Sequence, residues 1–215
     1  MSFKQIIRRP FRYENWNTAY IIIGINILVF FLERIIPYLS SYLSLSVIGI
    51  VKYKYFWQFF TYMFTHDPGG FSHIIFNMLG LFFFGISVER IMGSKEFLLF
   101  YVTSGLFCGL FSFLVYYFTG YWGIFLCGAS GAIYALLFAY AVLRPTDRIF
   151  IWGLIPVPAP LLIAAYAGIE IASQILSIRD GVAHMTHLAG FAFAWLYFVI
   201  RIGVNPWKVW KEAWR

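Results

Sequence analysis

Between Phe97 and Leu143 the chain reads FLLFYVTSGLFCGLFSFLVYYFTGYWGIFLCGASGAIYALLFAYAVL, 47 residues without a charged side chain. A helix that crosses a hydrocarbon core of about 30 Å needs roughly 20 residues at about 1.5 Å each, so this run holds two spans. Thr119-Gly120-Tyr121-Trp122-Gly123 marks the turn between them, which places the spans at 97–118 and 128–143. The rest of the chain follows the same arithmetic. A first span at 16–34 closes on Glu33-Arg34. A second, at 71–89, starts after Pro68-Gly69-Gly70, which no helix accommodates. Pro156, Pro158 and Pro160 forbid a regular helix before about residue 160, so the fifth span is expected at 160–178 and the sixth at 181–201. The segments 35–51 and 55–65 are too polar or too short to cross, and read as a long first loop lying partly in the membrane interface.

The composition agrees. Of 215 residues 61% are hydrophobic, 22% aromatic and only 12% charged, where soluble domains carry about 25% charged residues. The mean hydropathy of +0.77 excludes a water-soluble globule and a disordered chain alike. The expected fold is all-α: a polytopic six-helix membrane domain over 16–202, with an N-terminal segment 1–15 and a C-terminal tail 203–215. Six spans put both termini on one face, together with 12 of the 16 basic residues; Arg34, Lys52, Lys54 and Arg179 fall on the other. By the positive-inside rule both termini are cytoplasmic, and the net charge of +7 needs no nucleic acid to explain it. The first span runs into Glu33-Arg34 without a small-residue cleavage pattern, so it is not expected to be a cleavable signal. Cys108 and Cys127 read as small buried side chains.

Polar groups inside apolar spans are costly and therefore informative. His73 and Asn77 lie on the second span, Ser130 on the fourth within Gly128-Ala129-Ser130-Gly131, and His184 and His187 on the sixth. Ser130 stands 14 residues before Arg144, and His187 stands 14 before Arg201. Both therefore lie about 21 Å above the cytoplasmic edge. Asn77 and His73, 12 and 16 residues before Glu89, bracket that level. A serine hydroxyl needs a base to become nucleophilic, and neutral imidazole suits that role near pH 7. Ser130 and His187 supply the pair. The oxyanion of an acyl-transfer intermediate needs donors, and His73, Asn77 and the Ser130 N–H are available. Spans four and six carry no carboxylate, which leaves a dyad rather than a triad. Tyr134, one turn after Ser130, is placed to hold the imidazole. Gly131, Gly190 and Ala194 are small enough to let spans four and six approach.

Each feature also has a plainer reading. Gly-Ala-Ser-Gly alone is more often a packing patch between helices, and Asn77 alone is a bridge to a neighbouring helix. His184-x-x-His187 has metal-like spacing, but no cysteine or carboxylate completes a ligand set, so neither metal nor cofactor is expected. Glu170, about two turns into span five, reads as lying near the outer interface or paired with a polar neighbour rather than as a gate. The coincidence of depth favours catalysis. A transporter is disfavoured by the absence of an internal repeat and of paired intramembrane charges.

These residues resemble the rhomboid intramembrane serine proteases. The resemblance runs from about Trp57 to Ile200 and rests on His73-x-x-x-Asn77, on Gly128-Ala129-Ser130-Gly131-Ala132-Ile133-Tyr134 and on His187-Leu188-Ala189-Gly190. Glu89-Arg90-x-x-Gly93 and Ile155-Pro156-Val157-Pro158-Ala159 are similar as well. Gln58 follows Trp57 where arginine is common, and Ala194 stands where a second glycine often sits. The resemblance implies a six-helix core, a Ser130–His187 dyad and an oxyanion pocket involving Gly128, His73 and Asn77. It also implies a mobile fifth helix controlling entry, and other transmembrane proteins as substrates. The expected location is the inner membrane of a bacterium. The competing expectation is a non-catalytic rhomboid-like scaffold that binds membrane helices, against which the retention of both Ser130 and His187 argues.

Overall fold

The computed structural model describes residues 3–67, 69–151, 153–176 and 183–214. Its helices are, in chain order, α1 (Phe3–Ile7), α2 (Thr18–Ile35), α3 (Leu39–Leu43), α4 (Val47–Val51), α5 (Gln58–Thr61), α6 (Ser72–Met92), α7 (Ser94–Thr119), α8 (Ser130–Leu143), α9 (Ala159–Ile175), α10 (His184–Ile202) and α11 (Pro206–Ala213). Four of them, α2, α6, α7 and α10, are long and apolar enough to cross a membrane. Their outward faces carry Leu28, Phe31, Phe76, Phe83, Leu110 and Phe118, all exposed on the isolated chain. Side chains of this kind over such an area call for lipid as solvent.

The expected fourth and fifth spans are α8 and α9, of 14 and 17 residues. Both are shorter than the roughly 20 residues a crossing requires. For α8 the reason lies in the packing. Helix α8 is wrapped by its neighbours, with Ala132, Ala135, Leu136 and Ala139 buried, so it has no lipid-facing stripe to extend. Small side chains let the backbones close in: a Cβ on Gly190 of α10 would run into the Gly131 carbonyl oxygen of α8. Ala194, one turn on, is fully buried.

The expectation of an all-α chain needs one correction. Residues Arg148–Ile151 (β1) and Ile155–Pro158 (β2) pair as an antiparallel hairpin between α8 and α9. Two strands alone are both edges, so the missing N–H groups of Pro156 and Pro158 leave no ladder bond broken. Pro160 then stands in the first turn of α9, where proline is tolerated. The expected end of span five at 178, the start of span six at 181, and Arg179 lie outside the described residues.

The segment between α2 and α6 is ordered by hydrogen bonds rather than by length. Leu45 and Leu126 exchange backbone bonds of 2.9 and 2.8 Å. Gln58 is fully buried. Its Oε1 accepts from the Ser46 N–H at 3.1 Å, and its Nε2 donates to the Ser41 and Tyr42 carbonyls. The tail is tied down too, since the Trp210 indole N–H of α11 donates to the Ala141 carbonyl at 2.8 Å. At the other terminus Arg8 donates to the Val199 and Ile200 carbonyls. Both ends of the chain therefore meet one end of the bundle.

Candidate active site

Ser130 is the first residue of α8. The turn into the helix depends on Gly128, whose φ of +110° disfavours any side chain, and a Cβ there would stand 2.7 Å from His73 Nε2. The Gly128 N–H donates to the Tyr62 carbonyl at 3.0 Å, fixing the turn to the first loop. The opening turn of a helix leaves N–H groups without intrahelical partners, at the positive end of its dipole. Ser130 therefore sits where a developing negative charge is favoured.

Three helices converge on it. Ser130 Oγ of α8 lies 2.8 Å from His187 Nε2 of α10. The imidazole stacks on the Tyr134 ring, with centroids 4.0 Å apart and planes 11° from parallel. Glu170 of α9 closes the other side: its Oε1 is 2.8 Å from His187 Nδ1 and accepts from the Tyr134 hydroxyl at 2.5 Å. Its Oε2 is 2.5 Å from His184 Nδ1.

A cavity of about 730 Å³ opens beside this group, lined by His73, Asn77, Ser130, Tyr134 and His187. Within it the Asn77 amide donates to the His73 carbonyl at 2.8 Å, while Asn77 Oδ1 is buried without a partner. His73 Nδ1 accepts from the Asp67 N–H at 3.3 Å. His66, in the loop behind, packs its ring 5.1 Å from that of His73. Burial, followed by the nearby His73, pushes its imidazole down to about 3. His66 is therefore neutral at physiological pH and adds no charge beside the cavity.

Every sequence-derived candidate can now be placed. Ser130 and His187 are in hydrogen-bond contact, and His73 and Asn77 share their cavity. Gly128 forms the turn, Tyr134 stacks on the imidazole, Gly131 and Gly190 lie at the α8–α10 contact, and Ala194 is fully buried on α10. His184 turns to Glu170. The expectation of a dyad rested on spans four and six, which carry no carboxylate; α9, the expected fifth span, brings Glu170 to His187 Nδ1. Pairing of Glu170 with a polar neighbour was one of the two readings of that residue, and it is the one the fold realises. The signal was the energetic cost of a carboxylate inside an apolar span. It demanded a partner without identifying it.

Residues 53–203 match the rhomboid domain family model. The chain is 30% identical to "Rhomboid protease GluP" of Bacillus subtilis over 181 residues, 82% of this chain and 34% of that protein. It is 32% identical to "RHOMBOID-like protein 12, mitochondrial" of Arabidopsis thaliana, over 62% of this chain and 43% of the relative. With "Rhomboid protease GlpG" of an Enterobacter species the identity is 35%, over 64% of this chain and 47% of the relative. The chain thus spans about a third to a half of the length of these relatives.

Proposed function

The chain belongs to the rhomboid family, and we propose that it is an intramembrane serine endopeptidase that hydrolyses a peptide bond in the transmembrane segment of another membrane protein. The observation that carries this reading is the 2.8 Å contact of Ser130 Oγ with His187 Nε2 beside a cavity of about 730 Å³. In the proposed reaction His187 Nε2 takes the Ser130 proton as Oγ attacks the scissile carbonyl carbon. The Ser130 N–H, His73 and Asn77 are the donors proposed for the oxyanion. When the C–N bond breaks, the leaving amine takes the proton back from Nε2. Water then attacks the acyl-serine, giving its proton to His187, and the C–O bond to Ser130 breaks to free the acid and restore the hydroxyl. No metal or cofactor enters any step.

In the same reading α2, α6, α7, α8, α9 and α10 are six spans of one membrane domain over 16–202, with both termini cytoplasmic in the inner membrane of a bacterium. Helix α8 is enclosed by its neighbours, α9 packs against α8 and α10 with Leu161 and Ile169 facing outward, and water reaches Ser130 through the cavity, where irregular backbone is tolerated.

A fluorophosphonate probe tests the proposal in detergent. One adduct on Ser130 is expected, and Ser130→Ala and His187→Ala should each abolish it, since the pair acts as a unit. An unlabelled wild-type protein, or labelling that survives Ser130→Ala, would favour the non-catalytic scaffold.

A further inference from the structure

We infer that Glu170 is a positioning residue for this reaction, and that it extends the Ser130–His187 pair into a triad whose members come from α8, α10 and α9. The inference rests on the reading of Ser130 as nucleophile and His187 as base. Glu170 is 3% exposed and sits among three polar groups. The Tyr134 hydroxyl, His187 Nδ1 and His184 Nδ1 lie 2.5, 2.8 and 2.5 Å from its two oxygens. An ionised carboxylate only accepts, so both imidazoles present Nδ1–H to it. Three donors satisfy the buried carboxylate.

The consequence falls on the far side of the His187 ring. A neutral imidazole carries one proton; with that proton on Nδ1, Nε2 keeps its lone pair and faces Ser130 Oγ as an acceptor. The other tautomer would donate to Oγ and could not take its proton. Glu170 thus selects the tautomer that serves as base, and its negative charge stabilises the imidazolium that forms as the proton moves. Stacking on Tyr134 sets the plane of the ring, but a stacked ring can still flip or change tautomer. The carboxylate removes both freedoms.

Glu170→Gln tests this in the full chain, because the amide keeps the size and most of the hydrogen bonding yet can offer an N–H to Nδ1. The value of kcat on a transmembrane model substrate should fall by about one hundred- to ten thousand-fold, the upper figure being that of the Asp→Asn change in serine proteases. KM should stay within about threefold, and the fluorophosphonate labelling rate constant should fall with kcat. Glu170→Asp, which retains the charge, should recover part of the loss. The labelling rate constant is independent of the yield of folded protein, so a poorly folding variant still gives an answer. Labelling at the wild-type rate by the folded fraction would overturn the inference and reduce Glu170 to a packing role. Loss of labelling in Ser130→Ala alongside an unaffected Glu170→Gln would leave the dyad standing, whereas labelling in Ser130→Ala would remove the underlying reading itself.

Discussion

Gly190 controls the distance on which the site depends. A Cβ there meets the Gly131 carbonyl oxygen and lies 3.3 Å from the Ala135 nitrogen, both backbone atoms of α8 that no rotamer change can move. Gly190→Ala must therefore push α10 from α8 as a body. Overpacking of this kind costs about 1–3 kcal/mol, and a displacement of about 1 Å at a reacting pair costs roughly a hundredfold in rate. The variant should unfold at lower temperature and cleave about a hundredfold more slowly, as thermal unfolding and a cleavage assay would show. Wild-type activity would mean that the helices yield elsewhere. The identities of Ser130, His187, His73 and Asn77 were legible in the sequence because a polar group in an apolar span stands out. Counting to the next charge gave each an expected depth. Glu170 escaped because a count along one helix fixes height but not which face it turns to its neighbours, and its partners lie on α8 and α10.

Helix α2 shows how one element is held by another. Asn17 before it provides no side-chain cap, and the Thr18 and Ala19 N–H groups donate instead to Glu89 of α6 at 2.7 and 2.8 Å. The Ser94 hydroxyl donates to the same carboxylate at 2.5 Å. A negative charge at a helix N-terminus is doubly favoured, by hydrogen bonding and by the dipole. Glu89→Gln keeps one acceptor and loses the other, so it should destabilise the protein by about 1–3 kcal/mol. Because Glu89 lies 16 residues from His73 along α6, about 24 Å, the folded fraction should retain its labelling rate. Unchanged thermal stability would show that water replaces the cap. At this scale the long helices were legible from charge-free runs. The hairpin of β1 and β2 was not, since its prolines excluded a helix without revealing that the strands pair with each other. The shortness of α8 and α9 also escaped, because the need to cross a membrane was applied to every apolar run, and among the described residues four helices meet it alone.

Taken as a whole molecule, the fold brings the two termini to the end of the bundle where Arg201 pairs with Glu96 at 2.7 Å and Arg8 meets α10. The basic residues cluster toward that end in the sequence, which is why the proposed topology makes it the cytoplasmic end. Ser130 and His187 lie at the opposite ends of α8 and α10, about 21 Å along each helix from Arg144 and Arg201. The scissile bond of a substrate is then expected in the outer third of its hydrophobic segment. A peptide bond within a helix is shielded by its own hydrogen bonds, so the substrate must unwind locally, most readily where glycine or proline weakens the helix. The most direct measurement is mass spectrometry of the products from a single-span model substrate cleaved in proteoliposomes. A single cut in the outer third, absent with Ser130→Ala and slowed when the small and helix-breaking residues around it become leucine, is the predicted result; a cut in the cytoplasmic half, or cleavage by Ser130→Ala, would contradict it.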